Sequence, residues 1–330
     1  MSLAPTSSVL VTGGAGYIGS HACKALARAG FQPVVYDNLS RGHADAVKWG
    51  PLVIGDLGDT DLLCQTMRDH DISAVMHFAA FAYVQESVEK PGLYYDNNVG
   101  GMLSLLAAMR RQGLDKIVFS SSCATYGTPA QQPIAETTPQ VPINPYGRTK
   151  LICEWMLRDA ALAGGMRHVA LRYFNAAGAD PEGELGERHD PETHVIPLAL
   201  LAAAGGAPLQ IYGIDYPTPD GTCIRDYIHV DDLARAHVLA LRYLLDGGDS
   251  VTLNLGAGLG YSVIEVVDAV ERVTGRGVAQ SFAPRRPGDA AELRADPSKA
   301  AQVLGFRARY TDLDEIVAHA APWFKAGGRA

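Results

Sequence analysis

Val9-Leu10-Val11-Thr12-Gly13-Gly14-Ala15-Gly16-Tyr17-Ile18-Gly19 is the stretch that decides the fold. Val9-Leu10-Val11 reads as a short buried strand, and residues 20–29 read as a helix ended by Gly30. Between them, Gly13, Gly16 and Gly19 make a G-x-x-G-x-x-G run. Glycines there permit a tight turn, let backbone approach a pyrophosphate and seat the helix close to the sheet, while the helix N-terminus offers amides and the positive end of a dipole. A second strand, Pro33-Val34-Val35-Tyr36, ends at Asp37, eighteen residues past Gly19. A carboxylate at that place can accept hydrogen bonds from both hydroxyls of an adenosine ribose and repels a 2′-phosphate, so the pattern predicts NAD rather than NADP. A glycine turn in a nucleotide-free α/β fold is the plainer alternative.

The alternation continues outward from this unit. Residues 52–55 read as a strand ending at Asp56, 60–70 as a helix, and 74–78 as a strand followed by Ala79-Ala80. A long helix over 94–111 carries Asn97, and the strand 116–119 delivers Ser120-Ser121-Ser122. Strands alternating with helices predict an α/β fold with a doubly wound parallel sheet, a Rossmann arrangement whose ligands sit at the carboxyl ends of strands. Asp56, Phe78 and Ala79 lie at such ends, although Asp56 reads equally as a cap for the next helix. His77 reads as a satisfied strand-end residue.

A second landmark is Asn144-Pro145-Tyr146-Gly147-Arg148-Thr149-Lys150. Asn144 suits an N-cap, Pro145 the first helical position, and Leu151, Ile152, Trp155 and Met156 continue an apolar face. On such a helix Tyr146 and Lys150, four apart, share one side. An ammonium beside a phenol favours the phenolate, drawing a pKa that starts near ~10 toward the range of a general base. Taken alone, the pair also reads as a surface tyrosine and a solvated lysine.

Composition narrows the function classes. A 330-residue chain that is 47% hydrophobic and 19% charged is globular and long enough for a large core. Its formal net charge of −8, with no basic run longer than a pair, argues against a nucleic-acid or anionic-membrane surface. Cys23, Cys64, Cys123, Cys153 and Cys223 are odd in number and scattered, so neither a disulfide framework nor a cysteine zinc site is indicated, which fits a reducing cytoplasm. No metal is expected. No apolar run approaches the ~18 residues of a membrane span, and no basic-then-apolar leader opens the sequence.

Thr12 to Ser20, Tyr95-Asp96-Asn97-Asn98-Val99, Ser120 to Gly127, Tyr146 to Lys150, Leu171-Arg172-Tyr173-Phe174-Asn175 and Arg225-Asp226-Tyr227-Ile228-His229-Val230 resemble, in that order, the extended short-chain dehydrogenase/reductase family. Within it the chain resembles the epimerases of nucleotide sugars. The resemblance implies reversible C4 epimerisation of UDP-hexoses, UDP-glucose and UDP-galactose, through a transient 4-keto sugar with tightly held NAD. It implies Tyr146 as base, Lys150 as the group holding the nicotinamide ribose and acidifying the phenol, and Ser122 as a hydrogen-bond partner of the reacting oxygen. Cofactor contacts implied are Gly13, Gly16, Tyr17, Ile18, Gly19, Asp37, Asn38, Asp56, Leu57, Phe78, Ala79, Asn97, Ser120 and Tyr173. Substrate contacts implied are Phe174, Asn175, His194, Val195, Gln210, Tyr212, Arg225, Tyr227, Arg286, Asp289 and Leu293. Arg225 and Arg286 suit diphosphate because a guanidinium matches two oxyanions and stays charged. Implied domains are an NAD-binding Rossmann domain over 1–176, with 225–250 packing back on it, and a smaller mixed α/β UDP-sugar domain over 177–330. A homodimer through the helices 94–111 and 151–163 is implied as well.

Departures from the family keep alternatives open. Dehydratases of the family place an acid pair where this chain has Cys123-Ala124, so elimination is disfavoured. Ala82 stands where a lysine is usual, His194 where an asparagine is common, and Leu293 where a tyrosine flanks the sugar. The smaller Leu293 leaves volume for a 2-acetamido group, so UDP-N-acetylhexosamines, UDP-pentoses or UDP-uronates are alternative substrates. A sugar-nucleotide reductase and a non-catalytic dinucleotide sensor are the other classes.

Overall fold

A computed structural model describes residues 7–286 and 289–324. The chain opens with β1 (Ser8–Thr12), α1 (Tyr17–Arg28), β2 (Gln32–Asp37), β3 (Leu52–Ile54), α2 (Thr60–Asp69) and β4 (Ile72–His77). It continues through α3 (Val84–Glu89), α4 (Pro91–Tyr94), a π-helical turn over Tyr95–Gly100, α5 (Gly101–Arg111), β5 (Lys116–Ser122), α6 (Pro145–Leu162) and β6 (Arg167–Tyr173). Next come β7 (Asn175–Ala177), α7 (Val195–Ala203), β8 (Leu209–Tyr212), β9 (Ile224–Arg225), β10 (Tyr227–His229), α8 (Val230–Leu245) and β11 (Val251–Leu255). Last are β12 (Tyr261–Ser262), α9 (Val263–Thr274), β13 (Gln280–Ala283), β14 (Glu292–Leu293), α10 (Ser298–Leu304) and α11 (Leu313–Ala320).

Seven strands form one sheet in the order β11-β6-β5-β4-β1-β2-β3, and the pairings from β3 through β5 are parallel. The order reverses at β1, with β2 on one side and β4 on the other. Such a switch point opens a crevice at the carboxyl ends of the strands, where this fold binds ligands. Val9, Leu10 and Val11, like Val34, Val35, Val75 and Met76, are fully buried, as a parallel sheet covered on both faces requires.

Two compact units divide the described residues. The first runs to Tyr126 and takes in Gln140–Arg172 and Ala234–Leu253; the second takes Gly127–Pro139, Tyr173–Leu233 and what is described from Asn254 on. The division therefore falls four residues before the expected 176/177 boundary. Gly127–Pro139 groups with the second unit, and of residues 225–250 only those from Ala234 group with the first. Leu10, Val34, Met102, Phe119 and Leu157 belong to the core of the first unit. Ile196, Leu200, Ile211, Val267 and Ile316 belong to that of the second.

Several element bounds differ from expectation for local reasons. α1 begins at Tyr17 because Gly16 is the extended residue before it, with φ −82° and ψ 175°. Gly13 has φ +74°, and a Cβ on Gly19 would stand 2.2 Å from the Gly13 carbonyl oxygen, so neither position accepts a side chain. The expected helix over 94–111 starts earlier, at Pro91, and is broken in register by the π turn. β7 pairs in parallel with β10. α8 starts at Val230, directly after β10. Among the described residues no helix is long and apolar enough to cross a membrane.

Candidate active site

In the first unit the expected groups gather at the carboxyl ends of β1, β2, β4 and β5. Asn144 caps α6, its Oδ1 accepting the Gly147 N–H at 2.8 Å, with Pro145 at the first turn. The cap sets the phase of the helix: Tyr146 and Lys150 face inward, 7% and 3% exposed. Gly147 sits where a Cβ would meet the Ala124 carbonyl oxygen at 2.4 Å, so α6 approaches the end of β5 closely. Lys150 Nζ donates to the Ser120 carbonyl at 2.7 Å and lies 5.1 Å from the Phe119 ring centre and 5.9 Å from that of Tyr146. Burial pushes Lys150 down to about 8, with Cys153 and Glu154 acting in the opposite sense. The surface-pair reading of Tyr146 and Lys150 is excluded.

Ser122 Oγ accepts the Ala124 N–H at 3.1 Å, which leaves its own hydroxyl proton to donate. Ser120 contributes its carbonyl rather than its hydroxyl to Lys150. Ser121 turns away, its Oγ donating to Glu154. Glu154 in turn takes Arg172 Nε at 2.9 Å and Nη2 at 2.6 Å, and Arg172 Nη1 donates to Tyr126 Oη at 2.8 Å. This buried ion pair escaped the sequence reading, although Glu154 stands four residues past Lys150 on one helix face.

The cradle for a dinucleotide is built from backbone. Ser20 N–H bonds the Gly16 carbonyl at 3.0 Å, and α1 has no side-chain cap at its N-terminus, the kind of helix start whose amides and dipole suit an anion. Asp37 is fixed by the Ala15 N–H on Oδ2 at 3.0 Å and the Leu39 N–H on Oδ1 at 2.8 Å. Asn38 Nδ2 donates to Asp56 Oδ2 at 2.9 Å. Asp56 does not cap α2; Asp59 does, through the Leu62 N–H at 2.9 Å. Leu57 fills the space a Cβ on Gly101 would need. The Phe78 and Ala79 amides both donate to the Thr12 carbonyl, and the Phe78 ring packs on His237 at 4.7 Å. His77 Nδ1 meets Thr12 Oγ1 at 2.7 Å, the satisfied strand-end role expected of it. A cradle no Cβ could enter, an uncapped helix start and a fixed carboxylate at the end of β2 together fit NAD.

Asn97, an expected cofactor contact, donates its Nδ2 to Asn98 Oδ1 at 2.9 Å, and the neighbouring Asn98, 2% exposed, is a structural hub. Asn98 Oδ1 accepts the Phe81 N–H at 2.9 Å, while Nδ2 donates to the Phe81 carbonyl at 3.1 Å and to Thr149 Oγ1 at 3.0 Å. It thus ties the segment after β4 to the residue before Lys150.

In the second unit another group of expected residues comes together. Arg225 Nη1 donates to the Ala290 carbonyl at 2.9 Å, and its Nη2 stands 3.5 Å from Asp289 Oδ1. Leu293 pairs with Arg225 across β14 and β9. The Arg286 guanidinium covers the Tyr212 ring at 3.8 Å, and Tyr212 Oη donates to Gln210 Oε1. Asn175 N–H bonds the Asp226 carbonyl, and Phe174 N–H that of Leu255. His194 precedes α7 and bonds Glu187, while Val195 packs on the core of this unit. Tyr227, expected as a substrate contact, is 3% exposed and belongs to the core of this unit, where burial holds its phenol protonated. Tyr173 lies at the end of β6, in the second unit.

A cavity of about 730 Å³ in the first unit is lined by Asp115, Trp155, Arg158, Arg167 and His168 among others. It borders the amino ends of β5 and β6, the wrong end of a doubly wound sheet for the chemistry described.

Comparison with known proteins agrees with this geometry. Residues 9–256 match the model of the NAD dependent epimerase/dehydratase family. The chain is 55% identical over 318 residues to a UDP-glucose 4-epimerase of Rhizobium meliloti (strain 1021), covering 96% of this chain and 97% of that one. It superposes on UDP-glucose 4-epimerase from Brucella ovis in complex with NAD with a TM-score of 0.95, 59% identity, and coverage of 97% and 98%. With the Stenotrophomonas maltophila enzyme holding NAD and formylated UDP-arabinopyranose, the TM-score is 0.93 at 42% identity, with coverage of 96% and 97%.

Proposed function

Since the chain belongs to the NAD dependent epimerase/dehydratase family, we propose that it interconverts UDP-glucose and UDP-galactose by reversible epimerisation at C4, with NAD as resident cofactor. The observation that carries the reading is the buried Tyr146–Lys150 pair, set on one face of α6 in the same unit as the dinucleotide cradle. NAD held there would supply a reversible hydride acceptor, so that no coenzyme would be consumed. Tyr146 takes the proton of the 4-hydroxyl and returns it. Lys150, pinned by the Ser120 carbonyl, places a positive charge beside the phenol and favours its ionised form. The Ser122 hydroxyl donates to the reacting oxygen while the carbon is oxidised. Exchange of faces requires the 4-keto sugar to turn about its link to the diphosphate, so the chain must grip the UDP part and leave the hexose loose. Arg225 and Arg286 are the cations for the diphosphate, Asp289 a hydroxyl acceptor, and Gln210 with Tyr212 the groups for uracil. Asn175 and the backbone at His194 and Val195 complete that set.

The assembly we propose is a homodimer through the outer faces of α5 and α6, where Leu103, Trp155 and Leu162 are 59%, 46% and 80% exposed. Leu293 favours one extension of substrate range: an aliphatic residue beside Arg225 leaves room for a 2-acetamido group.

The test of the main reading is NMR of the purified protein with UDP-galactose and no added coenzyme. Conversion to UDP-glucose is expected, and Tyr146→Phe should slow it roughly 10²–10⁴-fold. Absence of conversion, or conversion that consumes added NADH in proportion, would refute the proposal.

A further inference from the structure

The segment between β7 and α7 brings four donor side chains to one point. Glu187, His189, Glu192 and His194 each offer one ligand atom, and these atoms lie within 4.8 Å of one another. Both imidazoles turn Nδ1 to the same oxygen: His189 Nδ1 stands 2.9 Å from Glu187 Oε1, and His194 Nδ1 meets it as well. Glu187 and Glu192 have side chains only 2% and 9% exposed. Glu192 Oε1 accepts the N–H groups of Thr193 and His194 at 2.7 and 2.9 Å and lies 3.7 Å from His189 Nδ1. Its Oε2 is buried with no hydrogen-bond partner. A carboxylate oxygen buried without a donor is costly and calls for a cation.

We propose that these four residues form a divalent-cation site of the zinc class, with ligation by Nδ1 of His189 and His194 and one oxygen each of Glu187 and Glu192. Two imidazoles and two carboxylates form a donor set suited to zinc, which binds them at about 2.0–2.2 Å in a tetrahedron; the ligand atoms then stand about 3.4 Å apart, well inside the observed spread. The two backbone amides on Glu192 Oε1 are the orienting contacts that ligating carboxylates usually have. His194 is 44% exposed, so the ion can enter from solvent. A bound ion fastens the Gly- and Pro-containing segment to the start of α7, which follows His194 directly. The test of the site, metal uptake, does not depend on the epimerase reading.

The experiment uses tag-free full-length protein, dialysed against chelator and then titrated with Zn²⁺ and, as an optical probe, Co²⁺. Expected are stoichiometric uptake by metal analysis, a cobalt absorption band of tetrahedral intensity, and a rise in Tm on adding zinc. The double variant His189→Asn with His194→Asn should lose uptake and band. Should that variant not fold, Glu192→Gln keeps the Glu187 contacts and should weaken zinc at least about tenfold. No stoichiometric uptake by the wild type, or uptake undiminished in the variants, would overturn the site and leave the cluster an ion-pair network.

Discussion

Lys150 shows how one residue serves two demands. Its burial disfavours the charged form, yet its function at Tyr146 needs the charge, and the pKa of about 8 is the outcome of that conflict. The sign of the linkage follows. An unfolded lysine titrates near ~10.4, so between about pH 8 and 10.4 the unfolded chain holds a proton the native one has released, and stability rises with pH across that window. Below pH 8 both states are protonated and the slope vanishes. Lys150→Met should therefore abolish the rise, measured as denaturant unfolding of cofactor-stripped protein from pH 7 to 10, while epimerisation falls roughly 10²-fold or more. An unchanged slope would show that burial does not govern this lysine. The pair Tyr146–Lys150 was legible because four residues make nearly one helical turn. Glu154, the next turn on, was equally accessible to that rule, but nothing in the sequence announces that it meets Arg172 of β6. For Tyr227 too, a motif supplies a position but not how deeply the side chain is buried. Leu293 carries the substrate prediction at this scale. Leu293→Tyr should cut kcat/KM for UDP-N-acetylglucosamine at least about tenfold more than for UDP-glucose, read by NMR with each sugar; equal losses would remove Leu293 as the wall.

At the scale of elements, the sheet and the glycine turn could be read because runs such as Val9-Leu10-Val11 and Val34-Val35 suit only strands buried on both faces. The π turn over Tyr95–Gly100 could not be read, because one extra residue in a helix changes no periodicity that a short window detects. Within it stands Asn98, whose amide meets Phe81 on one side and Thr149 of α6 on the other. Loss of that amide orphans half-buried backbone groups of Phe81, so Asn98→Ala should cost about 1–3 kcal/mol of unfolding free energy. Because Thr149 precedes Lys150, the same variant should lower kcat more than it raises KM. A folded variant of native stability and activity would mean that the π turn is incidental. The donors of the proposed cation site escaped for another reason. The expectation of no metal leaned on cysteine spacing, which is blind to imidazoles and carboxylates supplied by one loop.

Across the whole molecule, the chain leaves the first unit after Tyr126, returns at Gln140, leaves again after Arg172 and returns at Ala234. Sequence position therefore blurs where each unit ends, and the 176/177 boundary was a reading of one crossing among several. What sequence could anticipate is where apolar surface remains after each core is filled. On α6 the inward face holds Tyr146, Lys150, Cys153 and Leu157, which forces Trp155 and Leu162 outward; on α5 Leu105 and Met109 point in and Leu103 out. Isolated exposed apolar residues are ordinary, but a tryptophan and two leucines on successive helices of one unit form the kind of surface that a second copy covers. Sedimentation at micromolar concentration should then give a dimer for the native protein. Leu103→Asp combined with Trp155→Asp should give a monomer with unchanged far-UV circular dichroism, since neither side chain contributes to the core. A native monomer would refute the interface outright. A dimer that survives both charges would move it elsewhere, because two carboxylates on each copy, buried against their symmetry mates without partners, cost far more than such a contact returns.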